Sequence, residues 1–158
     1  MNREGKIVEA EGTGAAGTSA SGAAVVAKSG ASSIALFDAA ATECRAAEQR
    51  GDDLAGPLGV LLDRVYTLVQ GMPALTQSPE VCALRFARAR HVHQHASLTF
   101  RDAGNRTTWR PSSQLPRPAD MQRHWNDKDA AHYDRLLAGK PVTDALTAAE
   151  QAVNAGAV

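Results

Sequence analysis

The sequence predicts a mainly α-helical protein with one β-hairpin, an α+β class in which a helical hairpin forms the core and a flexible tail precedes it. Three observations support this prediction. Two adjacent stretches have the apolar period of amphipathic helices, an alternating stretch is followed by a Gly-Asn turn, and the first residues are rich in Gly, Ala, Ser and Thr. We expect residues 32–158 to form a single small domain, because the chain is long enough for one hydrophobic core.

Residues 1–31 are predicted to be a flexible tail, since Gly, Ala, Ser and Thr bury too little apolar surface to offset the entropy lost on ordering. Such a tail would be held in place only by a partner. The first twelve residues lack the apolar centre of a signal peptide, and no run approaches the roughly 18 apolar residues of a membrane span. We therefore expect no membrane contact and a cytoplasmic location, or a virion if the chain comes from a phage.

The helical hairpin is predicted from two amphipathic stretches. The first covers residues 33–50, with Ser33 as its capping residue and Gly51 at its end. The second covers residues 57–70 and has the strongest apolar stripe in the chain. The short connection between them favours antiparallel packing.

A third helix is predicted over residues 79–90, where Ser78 can cap the helix and Pro79 suits its first position. Its apolar period is poor, because arginines fall among the apolar positions, so residues 84–91 fit either a helix or a strand. After the hairpin we expect a proline-rich arm and two further helices, over residues 111–119, 127–138 and 144–154.

The β-hairpin is predicted over residues 92–110. Apolar and polar residues alternate from Val92 to Phe100, which is the period of a half-buried strand. A two-residue loop at Gly104-Asn105 would place Phe100 opposite Trp109, an aromatic cross-strand pair. The alternative register sets two arginines opposite each other, which like-charge repulsion disfavours.

Basic charge is concentrated in one segment of a chain that is neutral overall. The whole sequence has 17 basic and 17 acidic residues, whereas residues 84–123 contain eight arginines and two aspartates. Guanidinium groups bind phosphate and carboxylate in a planar, bidentate way, although the same arginines would also suit a solvated surface. The candidate residues for binding nucleic acid or another anion are Arg85, Arg88, Arg90, Arg101, Arg106 and Arg110.

Three alternating histidines, His91, His93 and His95, are the candidate metal ligands. On a strand all three would face the same side, as a zinc, copper or nickel site requires, whereas on a helix only the outer two would share a face. No nearby acid supplies a further ligand, and the surrounding arginines would repel a cation. We expect no cofactor, and the alternative is a divalent metal bound by these histidines. Without a metal, the histidines would form a solvated polar row or contact an anion.

No nucleotide-binding, hydrolase or zinc-protease motif occurs in the sequence, so we do not expect an enzyme. The first hypothesis is a non-enzymatic structural or assembly subunit of a multi-protein complex such as a phage particle, whose partners are other protein subunits or further copies of itself. Its support is the tail, the proline-rich arm and the open hairpin edge. One alternative is a nucleic-acid-binding or regulatory module that uses residues 85–123, and the other is a metal-binding protein that uses the histidines.

Overall fold

A computed structural model describes residues 19–119 and 125–156, and for residues 19–29 it describes the backbone alone. Over these ranges the protein is mainly α-helical with one antiparallel β-hairpin, as predicted. None of the helices found there combines the length and the apolar character that a bilayer span requires. The elements are α1 (Ser19–Arg50), α2 (Ala55–Gly71), α3 (Pro79–Gln94), β1 (Thr99–Arg101), β2 (Thr107–Trp109), α4 (Asp127–Leu136) and α5 (Val142–Ala155), with short 3-10 turns at Pro73–Gln77 and Ser112–Gln114.

The helical hairpin of α1 and α2 is present and supplies much of the core. Gly51 adopts a left-handed conformation with φ of 75°, and its N–H donates to the carbonyl of Glu48 while that of Asp52 donates to the carbonyl of Ala47. These two bonds close the end of α1 and reverse the chain. The residues buried between the two helices include Phe37, Ala41, Cys44, Ala47, Leu58, Leu61, Leu62, Val65 and Leu68.

Helix α1 begins inside the segment predicted to be a flexible tail. It starts at Ser19, so residues 19–31 are helical, and Ser33 lies within the helix rather than at its cap. Alanine has the highest helix propensity, and extending a helix that is already packed avoids the cost of nucleation. Residues 1–18 of the predicted tail lie outside the described residues.

Helix α3 extends to Gln94, so residues 84–94 are helical and the strand predicted from Val92 is wrong there. The predicted start is confirmed, because the hydroxyl of Ser78 accepts a hydrogen bond from the N–H of Val81 at 3.4 Å. The helix ends at His95, whose φ of 50° is left-handed. Because α3 packs against α2, α4 and α5, it buries apolar residues on several faces and has no single apolar stripe.

The β-hairpin is shorter than predicted and its register differs by one residue. Phe100 pairs with Thr108 rather than with Trp109, and the predicted pairing is wrong. The loop has three residues, since the N–H of Asp102 donates to the carbonyl of Arg106 at 3.0 Å. One residue of slip turns each side chain to the other face, and Trp109 is therefore fully buried while Phe100 is exposed.

The side chains of Asp102 and Asn105 in the hairpin loop explain this register. The Oδ1 atom of Asp102 accepts the N–H groups of Gly104 at 2.8 Å and of Arg106 at 2.9 Å. Asn105 takes the left-handed position with φ of 57°, which asparagine tolerates well. The loop is thus a turn followed by a left-handed residue, the common three-residue hairpin connection.

The hairpin sits between the end of α1 and the turn that joins α4 to α5. Trp109 exchanges backbone hydrogen bonds with that turn, donating to Lys140 at 3.1 Å and accepting from Gly139 at 2.9 Å. The proline-rich arm over 111–119 contains the 3-10 turn, and the N–H of Ser112 donates to Asp134 of α4 at 2.7 Å. The ends of α2, α4 and α5 differ from the predicted ones by one or two residues, the usual range for helix ends.

Candidate binding groove

A surface groove of about 700 Å³ lies between α2 and α3 and is closed at one side by the start of α4. We call it the α2–α3 groove. The side chains that matter for binding are Tyr66, Gln70, Arg85, Arg88, His93, Trp125 and Asp129. Its two longer walls are the packed helices α2 and α3.

Arg88 is held in place by two contacts with α2. Its Nε atom lies 3.4 Å from a carboxylate oxygen of Asp63, and its guanidinium lies 4.5 Å from the centre of the Tyr66 ring. Tyr66 remains 52% exposed, so part of its ring is open to solvent. The contacts fix the position of a cation beside an open aromatic surface.

Trp125 forms the opposite wall with a group of aromatic and basic side chains. Its ring meets the edge of Phe86 at 4.9 Å between ring centres. The guanidinium of Arg90 lies 5.1 Å from the Trp125 ring and that of Arg117 lies 4.7 Å from it. The indole N–H donates to Asp127 at 2.8 Å, which further fixes the ring.

The six candidate arginines fall into three environments. Arg85 and Arg88 both line the α2–α3 groove. Arg90 is fully buried against Phe86 and Trp125, and burial lowers its pKa. The structure therefore places Arg90 in the core rather than on a binding surface.

The other three candidate arginines belong to the hairpin. Arg101 binds the carboxylate of Glu48 at 3.3 Å and the carbonyl of Asp52 at 2.8 Å, and it thereby joins the hairpin to α1. Arg106 lies 3.4 Å from Asp102, and Arg110 lies 5.6 Å from the ring centre of Phe100. These three side chains have structural contacts at the hairpin and do not line the groove with Arg85 and Arg88.

The three histidines at the end of helix α3 lie on two different sides of it. His93 lines the α2–α3 groove, whereas His91 and His95 line a second depression of about 470 Å³ together with Asp63. The expectation that all three would face one side of a strand is wrong, because the segment is helical up to Gln94. Among the residues described, no group of three or more histidines, cysteines, aspartates or glutamates is placed to hold a metal ion.

The two cysteine thiols are unsuited to nucleophilic chemistry. Burial raises the pKa of Cys44 to about 11, and burial also raises the pKa of Cys82, whose sulfur donates to the carbonyl of Thr76 at 3.1 Å. A raised pKa keeps a thiol protonated and unreactive at neutral pH. Neither cysteine lines the α2–α3 groove, whose polar and aromatic lining includes guanidinium groups and aromatic rings.

Sequence reasoning selected Arg85 and Arg88 but missed Tyr66 as a groove residue. Tyr66 lies beside the apolar stripe of α2, but single exposed aromatic residues are common on protein surfaces, so the sequence carries no specific signal for it. Trp125 could not be placed, since its contacts with Phe86 and Arg90 join segments that are distant in sequence. No family, no curated protein and no solved structure gives a significant match to this chain.

Proposed function

We propose that this chain is a non-enzymatic assembly protein that binds another protein subunit through the α2–α3 groove. The observation that carries the proposal is the composition of the groove, in which Arg85, Arg88, Tyr66 and Trp125 surround one concave surface. Arginine, tyrosine and tryptophan are the residues that contribute most binding energy at protein–protein interfaces. A surface that concentrates them on rigid helices is suited to docking.

The groove is also prepared for binding before any partner arrives. The stack on Tyr66 and the ion pair with Asp63 restrict Arg88, and the contacts with Phe86 restrict Trp125. Side chains that are already ordered lose less entropy on binding. The same contacts that stabilise the fold therefore support affinity for a partner.

Helix α1 offers a second means of contact with a partner. Gly30 lies against Met72, the residue that follows α2, and residues 19–29 continue α1 past that point. At the rise of an α-helix this extension measures roughly 16 Å. This length of helix beyond Met72 supports the assembly proposal, because a helix can dock in a groove of a partner protein.

Nucleic-acid binding, the alternative hypothesis, has less support. Electrostatic binding to nucleic acid grows with the number of phosphates that cationic side chains neutralise, as in an interface with about six to ten phosphate contacts. Among the described residues, the groove and its rim offer three guanidinium groups, those of Arg85, Arg88 and Arg117, while Arg90 is buried and Arg101 is paired with Glu48. The net charge of zero adds no general attraction for phosphate.

The first test is size-exclusion chromatography with light scattering on protein purified from its source. We expect a mass well above 16.6 kDa together with an absorbance ratio at 260 and 280 nm typical of protein. A photo-crosslinking amino acid in place of Gln70, which is exposed in the groove, should give one defined cross-linked product. The same amino acid in place of Gln151, exposed on α5, is the matched control and should give none.

Two results would contradict the proposal. One is a 16.6 kDa monomer that forms no cross-link from position 70. The other is a complex rich in 260 nm absorbance that dissociates at high salt, which would favour the nucleic-acid alternative.

A further inference from the structure

The α2–α3 groove carries positive charge that is available for binding. Arg85 is exposed in the groove, and in the ranges described no carboxylate lies within 4 Å of its guanidinium. Arg117 is exposed at the rim, where it contacts Trp125 through a cation–π interaction. Arg88 lies on the same wall as Arg85 and is paired with Asp63.

Among the described residues, three carboxylates lie near these cations. Asp63 pairs with Arg88, and Asp127 accepts the indole N–H of Trp125. Asp129 lines the groove at the start of α4. The backbone N–H groups at this helix start are not available, because the side chain of Asn126 accepts those of Lys128 at 2.9 Å and Asp129 at 3.2 Å. Anion binding in the groove therefore depends on guanidinium groups.

Apolar surface adjoins these cations. The exposed part of the Tyr66 ring lies on the α2 side, next to Val69, and Ala89 lies on the α3 side. A free inorganic anion would leave this surface in water. A ligand that fits the whole groove must offer both negative charge and apolar side chains.

Resting on the proposed function of the groove, we propose that its partner is an acidic protein segment. A carboxylate of this segment pairs with Arg85, and a neighbouring apolar side chain packs on Tyr66. Guanidinium groups bind carboxylates in a bidentate way, and aromatic surface adds apolar contact to the charged one.

The test is fluorescence anisotropy with the full chain and three labelled probes at low salt. The first probe is a short peptide that alternates glutamate with leucine, the second has every glutamate replaced by glutamine, and the third is a thymidine oligonucleotide of the same length. We expect the acidic peptide to bind at least about tenfold more tightly than either other probe. Arg85→Glu should weaken its binding about tenfold, because the change replaces an attraction by a repulsion.

Arg135→Glu is the matched control, since Arg135 is exposed on α4 outside the groove and the change alters net charge equally. It should leave the dissociation constant of the acidic peptide within about twofold. Both arginines are exposed, and circular dichroism should give unchanged spectra for both variants.

Each contrary outcome has a distinct meaning. Equal binding of the glutamine peptide, or no binding of the acidic peptide at about 1 mM, overturns the acidic partner but leaves protein docking supported if position 70 still cross-links. Tighter binding of the oligonucleotide than of the acidic peptide, lost in Arg85→Glu, overturns both this inference and the proposed function.

Discussion

Replacing Glu48 by alanine is predicted to destabilise the protein by about 3 kcal/mol, because this side chain joins the hairpin to the last turn of α1. One carboxylate oxygen accepts the N–H of Thr107 at 2.7 Å, and the other accepts its hydroxyl at 2.5 Å. The guanidinium of Arg101 lies 3.3 Å from both oxygens. The Glu48 side chain is 16% exposed, so water screens these contacts only in part.

The magnitude follows from the contacts that are lost. A hydrogen bond to a charged group contributes about 1.5–3 kcal/mol, and a buried N–H left without an acceptor costs about 1–3 kcal/mol. Thr107 is 6% exposed, so the second effect applies to its N–H. The pair with Arg101 adds less than about 1 kcal/mol, since Arg101 is 36% exposed. Water that enters the site offsets part of the sum, which leaves about 3 kcal/mol and a Tm lowered by roughly 6–12 °C.

Urea unfolding followed by circular dichroism measures this change. Glu43→Ala is the matched control, because Glu43 lies on the same helix, is 58% exposed and pairs with Arg50 at 2.8 Å. Its effect should stay within about 0.5 kcal/mol. If Glu48→Ala were as mild as this control, the hairpin would not depend on Glu48 and the reasoning would be refuted.

Three further changes test the helix cap, the arm and a carboxylate. Asn126→Ala removes the cap of α4 and should cost about 1 kcal/mol in urea unfolding, whereas no loss would contradict the role of the cap. Asp134→Ala removes the acceptor of the Ser112 N–H, and should cost about 2 kcal/mol and make the arm over 111–119 more sensitive to protease. Burial and the nearby Glu150 raise the pKa of Asp38 above 3.8, so its ionised form opposes folding. Asp38→Asn should therefore raise Tm at pH 7 and leave it unchanged below pH 3.8, and an equal rise at both pH values would show that charge is not the cause.

Local signals in the sequence identified the helix boundaries that depend on local chemistry. Ser78 and Pro79 mark the start of α3, and Gly51 ends α1 in the left-handed conformation. Each of these roles depends on one side chain and its own neighbouring backbone. They are predictable because no distant part of the chain takes part in them.

Of the incorrect predictions, one concerns packing between distant segments, one a local side-chain contact in the hairpin loop, and one a cooperative process. Residues 92–94 alternate like a strand, but they continue a helix that α2, α4 and α5 surround. The hairpin register depends on Asp102, whose side chain binds the loop and selects three loop residues instead of two. The early start of α1 follows from propagation of a packed helix into an alanine-rich segment.

The groove was predictable only in part, because its lining depends on how distant segments pack together. The arginine count drew attention to Arg85 and Arg88, but the same count selected Arg90, which is buried, and Arg101, which binds Glu48. Composition gives the number of cations and cannot tell which of them bind carboxylates within the fold. Only the packing of α3 against its neighbours separates these cases.

The contacts of each arginine within the fold also decide which arginine substitution is informative about binding. Arg88 contacts Tyr66 and pairs with Asp63, so its removal would alter the packing of α2 on α3 together with the groove. Arg85 lines the same groove, is exposed, and has no carboxylate within 4 Å in the described part of the chain. A loss of binding in an Arg85 variant would therefore report on the partner, whereas the same loss in an Arg88 variant would not distinguish the partner from the fold.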